Sequence, residues 1–563
     1  MRLPPRPDLS WKEDGTPVDE RVGDVYYSVE DGLAEARAVF LSGCGLPEAW
    51  HRQNQYTIAE LGFGTGLNFL ATWHMWQAHR RPDGWLNFVS FEGYPLEAED
   101  IARALTPWPE LRELATKLCD AWPARAKGIQ QITWPEERLT LTLHRGMIEE
   151  TLPRAVFVAD AWFLDGFSPA KNAAMWDNAL WPEIAQRSRP NTRASTFTVA
   201  GAVRRGLQAV GFEVEKKPGH GRKRERLEAI FQPSTQAPPV LKPVSPNIAV
   251  IGAGIAGASL ARVLQDRGAR VTVYDRASKP GQGTSGNPMA LVMPRLDASA
   301  TVQAQLLIDA YLSAQAFYQD KPGTTQTETL HQPRDEKEAA RFAKVLADPP
   351  LGLEQLEAVR GGGLLHKKSL IIHPDQLLPS LLGGIDVAWS TQADVDQATR
   401  TVNGKDYDAI IFAAGYELQG VLPELELTGR LGQIEWSRSE IEAPPAALAS
   451  GPYAIADGNE RLWGATFADH PGGTPQISDA ARAENIAALE TLAPYWLKDA
   501  LRAAPNSRAG VRATTADRLP LIGPAPDEKA LSEDRQVLER AGWKVAPAAY
   551  ARPGIYVVGG FGS

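Results

Sequence analysis

Asn247-Ile-Ala-Val-Ile-Gly-Ala-Gly-Ile-Ala-Gly-Ala-Ser-Leu-Ala-Arg-Val-Leu264 starts as an apolar run, turns through Gly-x-Gly-x-x-Gly and continues with helical spacing. Gly252 makes the turn, Gly254 lets backbone N–H groups approach a pyrophosphate, and Gly257 lets helix and strand pack closely. The helix N-terminus adds its partial positive charge at the same place. A second strand, Arg270-Val-Thr-Val-Tyr-Asp275, ends in an acid at the distance expected for a ribose hydroxyl. Gly-x-Gly-x-x-Gly alone is equally a structural turn. Strand, loop, helix, strand and acid together predict a dinucleotide site in an α/β fold.

A second glycine loop lies upstream in Tyr56-Thr-Ile-Ala-Glu-Leu-Gly-Phe-Gly-Thr-Gly-Leu-Asn-Phe-Leu70. Here Glu60 precedes Gly62, Gly64 and Gly66, a spacing different from the dinucleotide fingerprint. The glycines remove side chains where the backbone must turn tightly against a ligand. The next strand, Leu86-Asn-Phe-Val-Ser-Phe-Glu92, ends in an acid that can accept hydrogen bonds from both hydroxyls of a ribose. Further on, Ala161-Trp-Phe-Leu-Asp-Gly-Phe-Ser-Pro-Ala-Lys-Asn172 puts Asp165 at a strand's carboxyl end, where open α/β sheets bind ligands. Trp162 and Phe163 read as core.

Between the loops, Pro233 to Pro246 carries five prolines in fourteen residues, the composition of a semi-rigid linker. Domains are therefore expected over 1–232 and 247–563, each long enough to bury a core. The 563 residues are 43% apolar and 23% charged, which excludes a disordered or fibrous chain. Fifty-nine cations against sixty-eight acids leave a net charge of −9, so no global field draws the protein to a polyanion. A local basic patch is required instead. Lys216 to Arg226 supplies one, with six cations, among them Arg222, Lys223 and Arg224, against one acid. The run is either a solvated face or a phosphate-binding segment. Two cysteines build neither a disulfide framework nor a Cys-based zinc site, and no metal is expected. With no signal peptide or apolar span, a cytoplasmic protein is expected.

Several stretches carry family resemblances. The Glu60–Gly66 loop with Glu92 resembles motif I of S-adenosylmethionine-dependent methyltransferases, which implies that Glu60, Gly62, Gly64, Gly66 and Glu92 bind that cofactor. Tyr407-Asp-Ala-Ile-Ile-Phe-Ala-Ala-Gly415 resembles the late strand that returns to FAD in flavoproteins, and Gly554-Ile-Tyr-Val-Val-Gly-Gly-Phe-Gly-Ser563 a strand returning to the flavin edge through Gly560. Gly510-Val-Arg-Ala-Thr-Thr-Ala-Asp-Arg-Leu-Pro-Leu-Ile-Gly523 resembles a signature of glycine and D-amino-acid oxidases, in which the Arg matching Arg512 grips a substrate carboxylate. The alternative for Arg512 is a structural pairing with an acid such as Asp517. Those oxidases continue into a helix facing the flavin, for which the sequence ending at Ser563 has no counterpart.

Taken together, the chain resembles the bifunctional tRNA 5-methylaminomethyl-2-thiouridine biosynthesis family. The most specific segments are Leu61-Gly-Phe-Gly-Thr-Gly-Leu-Asn-Phe69, Trp162 to Asn172 and Gly221-Arg-Lys-Arg-Glu225. The resemblance implies a Rossmann-like methyltransferase domain, then an FAD-binding oxidase-like domain with an α+β substrate subdomain. It implies FAD and S-adenosylmethionine as cofactors and a tRNA wobble uridine as substrate, with no obligate protein partner. The implied chemistry removes a carboxymethyl group from 5-carboxymethylaminomethyluridine, then methylates the exposed amine, with Asp165 positioning or deprotonating that amine. Two positions depart from the pattern. Gly146-Met147 stands where such methyltransferases have Gly-Asp, and Ser285-Gly-Asn-Pro-Met-Ala290 diverges from the family's flavin loop after Asn287. A small-molecule amine oxidase fused to an amine methyltransferase, and a non-catalytic RNA-binding relative, are the alternatives.

Overall fold

The computed structural model describes residues 2–221, 224–232, 245–440, 446–470, 472–497, 505–540 and 550–562. The chain divides into two compact units. One comprises Met1–Val244, Ser299–Ala316 and Ala347–Gly352, the other Ser245–Ala298, Phe317–Leu346 and Leu353–Ser563. Two segments expected in the second domain thus fall in the first unit. Within that unit Gln305 donates to the carbonyl of Lys127 at 2.7 Å. Residues 233–244 of the expected linker lie outside the described residues.

The first unit is built on an eight-stranded sheet. From one edge to the other its strands are Phe212–Pro218, Glu225–Phe231, Ser188–Thr196, Ala159–Leu164, Gln55–Leu61, Trp85–Glu92, Leu139–Arg145 and Gly128–Trp134. The five inner strands from Ser188–Thr196 to Leu139–Arg145 pair in parallel, and the edges antiparallel. Side chains alternate faces along a strand, and both faces are covered. Ile58, Phe88 and Phe163 pack on one side with Phe69 and Trp73 of the helix Leu67–His79, whereas Leu61, Phe91 and Trp162 pack on the other. Trp162 and Phe163 are the core residues their apolar setting suggests. The strand Gln55–Leu61 sits between its two neighbours with its carboxyl end at the turn into the helix, so a crevice opens beyond Leu61, Glu92 and Leu164.

The second unit carries a six-stranded sheet ordered Asp386–Ala388, Arg270–Tyr274, Asn247–Ile251, Ala409–Phe412, Ala551–Gly559 and Leu521–Pro526, parallel except for the last pair. A larger sheet contains Thr428–Arg438 paired antiparallel with Asn506–Thr514, which puts Arg430 opposite Arg512. Among the described residues no helix is long and apolar enough to cross a membrane.

In the same large sheet two imidazoles, the half-buried His331 and the buried His366, lie with ring centroids 5.7 Å apart. Burial holds His331 at about 4 and His366 at about 3, against an ordinary value of 6.5, and for His366 the neighbouring His331 adds to the effect. Below pH 6.5 the unfolded chain takes up protons that the folded unit refuses. Their contribution to stability is therefore whole above 6.5 and lost as the pH falls toward 4. Urea midpoints measured between pH 7 and 4.5 should fall steadily, and fall less in His366→Leu. An equal slope in both proteins would contradict this.

Candidate active sites

Three strand ends of the first unit converge on one cavity of about 1020 Å³, lined by Gly62, Gly64, Glu92, Met147, Asp165 and Phe167 among others. The chain reverses direction through the left-handed region at Gly62 (φ +85°), Gly64 (+53°) and Gly66 (+76°), where a side chain is strained. A Cβ on Gly64 would also come within 3.2 Å of the Tyr26 ring. What fixes the loop is Glu92. One of its oxygens accepts the N–H of Gly64 (2.9 Å) and the other the N–H of Tyr94 (2.8 Å). A carboxylate has about four lone-pair positions, so two remain for a ribose diol. Burial raises the Glu92 pKa, and the two backbone N–H groups oppose that shift.

Asp165 is held on two sides. Its Oδ1 accepts the N–H of Gly166 (2.9 Å), and its Oδ2 accepts a hydrogen bond from Asn68 Nδ2 at 2.7 Å. The same Asn68 nitrogen donates to Glu60 Oε1 at 3.1 Å, and Ser90 Oγ donates to Glu60 Oε2 at 2.7 Å. One amide thus joins two carboxylates. Glu60 is 1% exposed, and it is not among the residues lining the cavity. The expectation that it touches the ligand is corrected. It stands inside the sheet, level with Ser90 and Phe163 on the neighbouring strands, and supports Asp165 through Asn68. Burial raises its pKa well above the ordinary carboxyl value, against the hydrogen bonds of Ser90 and Asn68.

A small N-terminal sheet, Leu9–Trp11, Pro17–Asp19 and Asp24–Val25, borders the same cavity. Asp24 ties it to the Asp165 loop by accepting from Ser168 N (3.2 Å) and Lys171 Nζ (3.0 Å). Tyr26 meets Phe167 edge-on at 5.3 Å, and the Arg21 guanidinium lies over the Tyr94 ring at 3.2 Å. The sequence reading missed these residues and Asn68. Asn68 offered the better signal, as a polar residue in the apolar first turn of its helix, between Leu67 and Phe69.

In the second unit the loop repeats the same logic. Asp275 accepts the N–H of Ala253 (2.7 Å) through one oxygen and that of Ala277 (2.8 Å) through the other. Gly252 has φ +112°, and a Cβ there would stand 2.6 Å from the Ala413 carbonyl. A Cβ on Gly257 would lie 1.9 Å from the Gly252 oxygen, so only glycine lets the helix Ile255–Asp266 begin here. Ser285 Oγ accepts the N–H of Ile255 at 3.0 Å, and Thr284 Oγ1 donates to the Val511 carbonyl at 2.7 Å. That chain of contacts sets the strand bearing Arg512 beside the glycine loop. Gly415 turns out of the strand Ala409–Phe412 with open space where a Cβ would point, and Gly560 follows the strand Ala551–Gly559, close to Thr515.

Arg512 is half-buried and donates weakly to the Thr466 carbonyl at 3.5 Å. Among the described residues it has no ion pair. The alternative pairing with Asp517 is not made, because that carboxylate is turned to the N–H of Leu519 at 3.0 Å. Burial lowers the Arg512 pKa, and the neighbouring Tyr453 opposes that shift.

Residues 109–232 match the family model described as S-adenosyl-L-methionine-dependent methyltransferase, and residues 247–563 the model described as FAD dependent oxidoreductase. The bifunctional tRNA 5-methylaminomethyl-2-thiouridine biosynthesis protein MnmC of Maricaulis maris (strain MCS10) is 39% identical over 524 residues, 92% of this chain and 87% of that protein. MnmC of Caulobacter vibrioides (strain ATCC 19089 / CIP 103742 / CB 15) is 40% identical over 532 residues, 91% of this chain and 88% of the relative. The chain belongs to the MnmC family.

In this MnmC chain a methyltransferase is joined to an FAD-dependent oxidoreductase, and its cofactors are S-adenosylmethionine and FAD. The residues present fit both. Gly62, Gly64 and Glu92 line a cavity of suitable size, with Gly66 turning the loop into the helix, and Gly252, Gly254, Gly257 and Asp275 build the second glycine loop. Met147 lines the first cavity without a carboxylate, and Glu149, two residues on, lines it too. Of the basic run, Lys216, Lys217 and Arg226 are paired with Glu225 (2.8 Å), Glu215 (2.5 Å) and Glu228 (2.6 Å). Arg222 and Lys223 lie outside the described residues. Arg224 is exposed in the hairpin joining Phe212–Pro218 to Glu225–Phe231, where His220 borders the cavity.

Glu92→Gln turns one acceptor into a donor facing a backbone N–H. S-adenosylmethionine affinity should fall by roughly 1.5–3 kcal/mol, the scale of hydrogen bonds to a charged group. Calorimetry giving the wild-type affinity for a folded variant would remove Glu92 from the clamp.

Proposed function

We propose that the two sites act in turn on the wobble uridine of tRNA. The second unit converts 5-carboxymethylaminomethyluridine to 5-aminomethyluridine, and the first unit methylates the exposed amine to 5-methylaminomethyluridine. FAD supplies the hydride acceptor and S-adenosylmethionine the methyl group. Loss of a hydride from the carboxylate-bearing CH₂, with the nitrogen proton leaving, makes a C=N bond. Addition of water then releases glyoxylate and a primary amine. The observation that carries this reading is the presence of both glycine-loop cradles in one chain whose relatives bear this name over their joined length.

The protein's own groups support each step. Substrate and product of the first step differ by a carboxylate, and Arg512 is a half-buried cation with no ion pair among the described residues. A planar guanidinium grips a carboxylate at two points and aims the adjoining CH₂. In the methyl-transfer cavity the incoming amine must offer a free lone pair, so its protons need an acceptor. Asp165 presents one with its geometry set by Gly166 and Asn68. Arg222, Lys223 and Arg224 would hold phosphate, and of these the described Arg224 is exposed and free of any ion pair among the described residues.

Asp165→Asn should bind S-adenosylmethionine normally and lose methyl transfer by roughly 10²–10⁴, the scale of general-base catalysis. Normal methylation of aminomethyl-tRNA at neutral pH would overturn the role. Arg512→Lys keeps the charge and loses the two-point grip. Glyoxylate release should drop by roughly 10- to 100-fold in kcat/KM, as expected for losing one hydrogen bond between charged groups, with FAD still bound. Full activity in Arg512→Ala would contradict the carboxylate grip.

A further inference from the structure

Phe467 is 57% exposed, yet its backbone is firmly placed. Thr466 N donates to the Gln433 carbonyl (3.1 Å) and His470 N to the Gly429 carbonyl (3.1 Å), while Thr466 Oγ1 accepts the Gln433 N–H (2.9 Å). Ala468 and Asp469 pair with Leu431 and Arg430. The segment 466–470 is therefore strapped at both ends to the strand Thr428–Arg438, with the aromatic ring left facing solvent. Two guanidiniums lie over that ring. The Cζ atoms of Arg430 and Arg512 are each 5.7 Å from its centroid, and Arg430 is itself paired with Asp469. The exposed ring is thus kept in place next to the one of these cations that lacks an ion pair among the described residues.

We infer that Phe467 is a stacking platform for the uracil ring of the nucleotide whose carboxylate Arg512 holds. The inference rests on the proposed reading of the Arg512 site. Two features favour it. Single-stranded bases are recognised on aromatic faces flanked by arginines, because every base has a π-face and the cations favour the adjoining phosphates. The linker length is also sufficient. Three atoms, CH₂, NH and CH₂, link C5 of the uracil to the carboxylate carbon, about 5 Å when extended, from ordinary bond lengths. The ring-to-guanidinium separation is 5.7 Å. With a hydrogen-bonded contact to Arg512 at one end and a van der Waals contact to the ring at the other, each about 3–4 Å, the linker is long enough for a base held through its carboxylate to reach Phe467. The platform selects a planar base on the carboxymethylamine, and a free amino acid would bind Arg512 without using it.

The test uses the full FAD-loaded chain and tRNA carrying 5-carboxymethylaminomethyluridine, with Phe467→Ala, Phe467→Leu and Phe467→Trp. The leucine variant keeps apolar volume without a π-face, and the tryptophan variant keeps the face. Both Ala and Leu should raise the Kd for tRNA and the KM for glyoxylate release roughly tenfold, the loss of one stacked base. The slope of log K against log salt should not change, because no phosphate contact is removed. The flavin absorbance should be intact, and Trp should restore wild-type values. An unchanged Kd, a weaker Kd with a flattened salt slope, or loss of flavin from Phe467→Leu would each overturn the assignment. Failure of the wild-type chain to release glyoxylate from this tRNA would instead sink the reading on which it rests.

Discussion

In both units a carboxylate at the end of the second parallel strand accepts the N–H of a glycine-loop residue, Gly64 on Glu92 and Ala253 on Asp275. Each carboxylate also takes the N–H of the residue two places beyond itself, Tyr94 and Ala277. The glycines alone would leave a loop with many accessible conformations, since glycine loses the most freedom on folding. A carboxyl group bonded to two backbone donors fixes the strand end and the loop together. Each acid has lone pairs left for a ribose. The bond that shapes the loop is thus made by the group that would read the ligand, and the rest of each site is arranged around it.

The methyl-transfer cavity adds a second constraint. Asp165 has to present an acceptor in one orientation, and the protein arranges this with a single amide. Asn68 uses both protons of one nitrogen, one for Asp165 and one for the buried Glu60. Glu60, held by Ser90 as well, is an anchor set in the sheet. Burial pushes its pKa up, so the anchor's protonation is tied to its seclusion from water. The N-terminal strands then border the cavity, with Asp24 fastened to the loop after Asp165.

Much of this was legible in the sequence because it is written in local periodicity. A strand, a glycine turn and an amphipathic helix announce themselves within twenty residues, as do strand-end acids at fixed distance. The α/β organisation, both cradles, and Trp162 and Phe163 as core could be read this way. Contacts between distant segments could not. Glu60 reads as a ligand-facing acid because it precedes the loop, and only strand pairing shows that it is level with Ser90 and shielded from the cavity. The same holds for Asp24 against Ser168, 144 residues away, and for the segment Ser299–Ala316 joining the first unit. The choice between a clamp and a structural role for Arg512 also needed the fold, which turns Asp517 toward Leu519.

The order of the two chemistries is the centre of the account, and mass spectrometry of tRNA nucleosides tests it most directly. Transfer RNA bearing 5-carboxymethylaminomethyluridine is incubated with the FAD-loaded chain, with and without S-adenosylmethionine. Without it, 5-aminomethyluridine and an equivalent of glyoxylate should accumulate, and adding it should convert that nucleoside to 5-methylaminomethyluridine. Carboxymethylaminomethyluridine left untouched, or a methylated nucleoside that still carries the carboxymethyl group, would contradict the account.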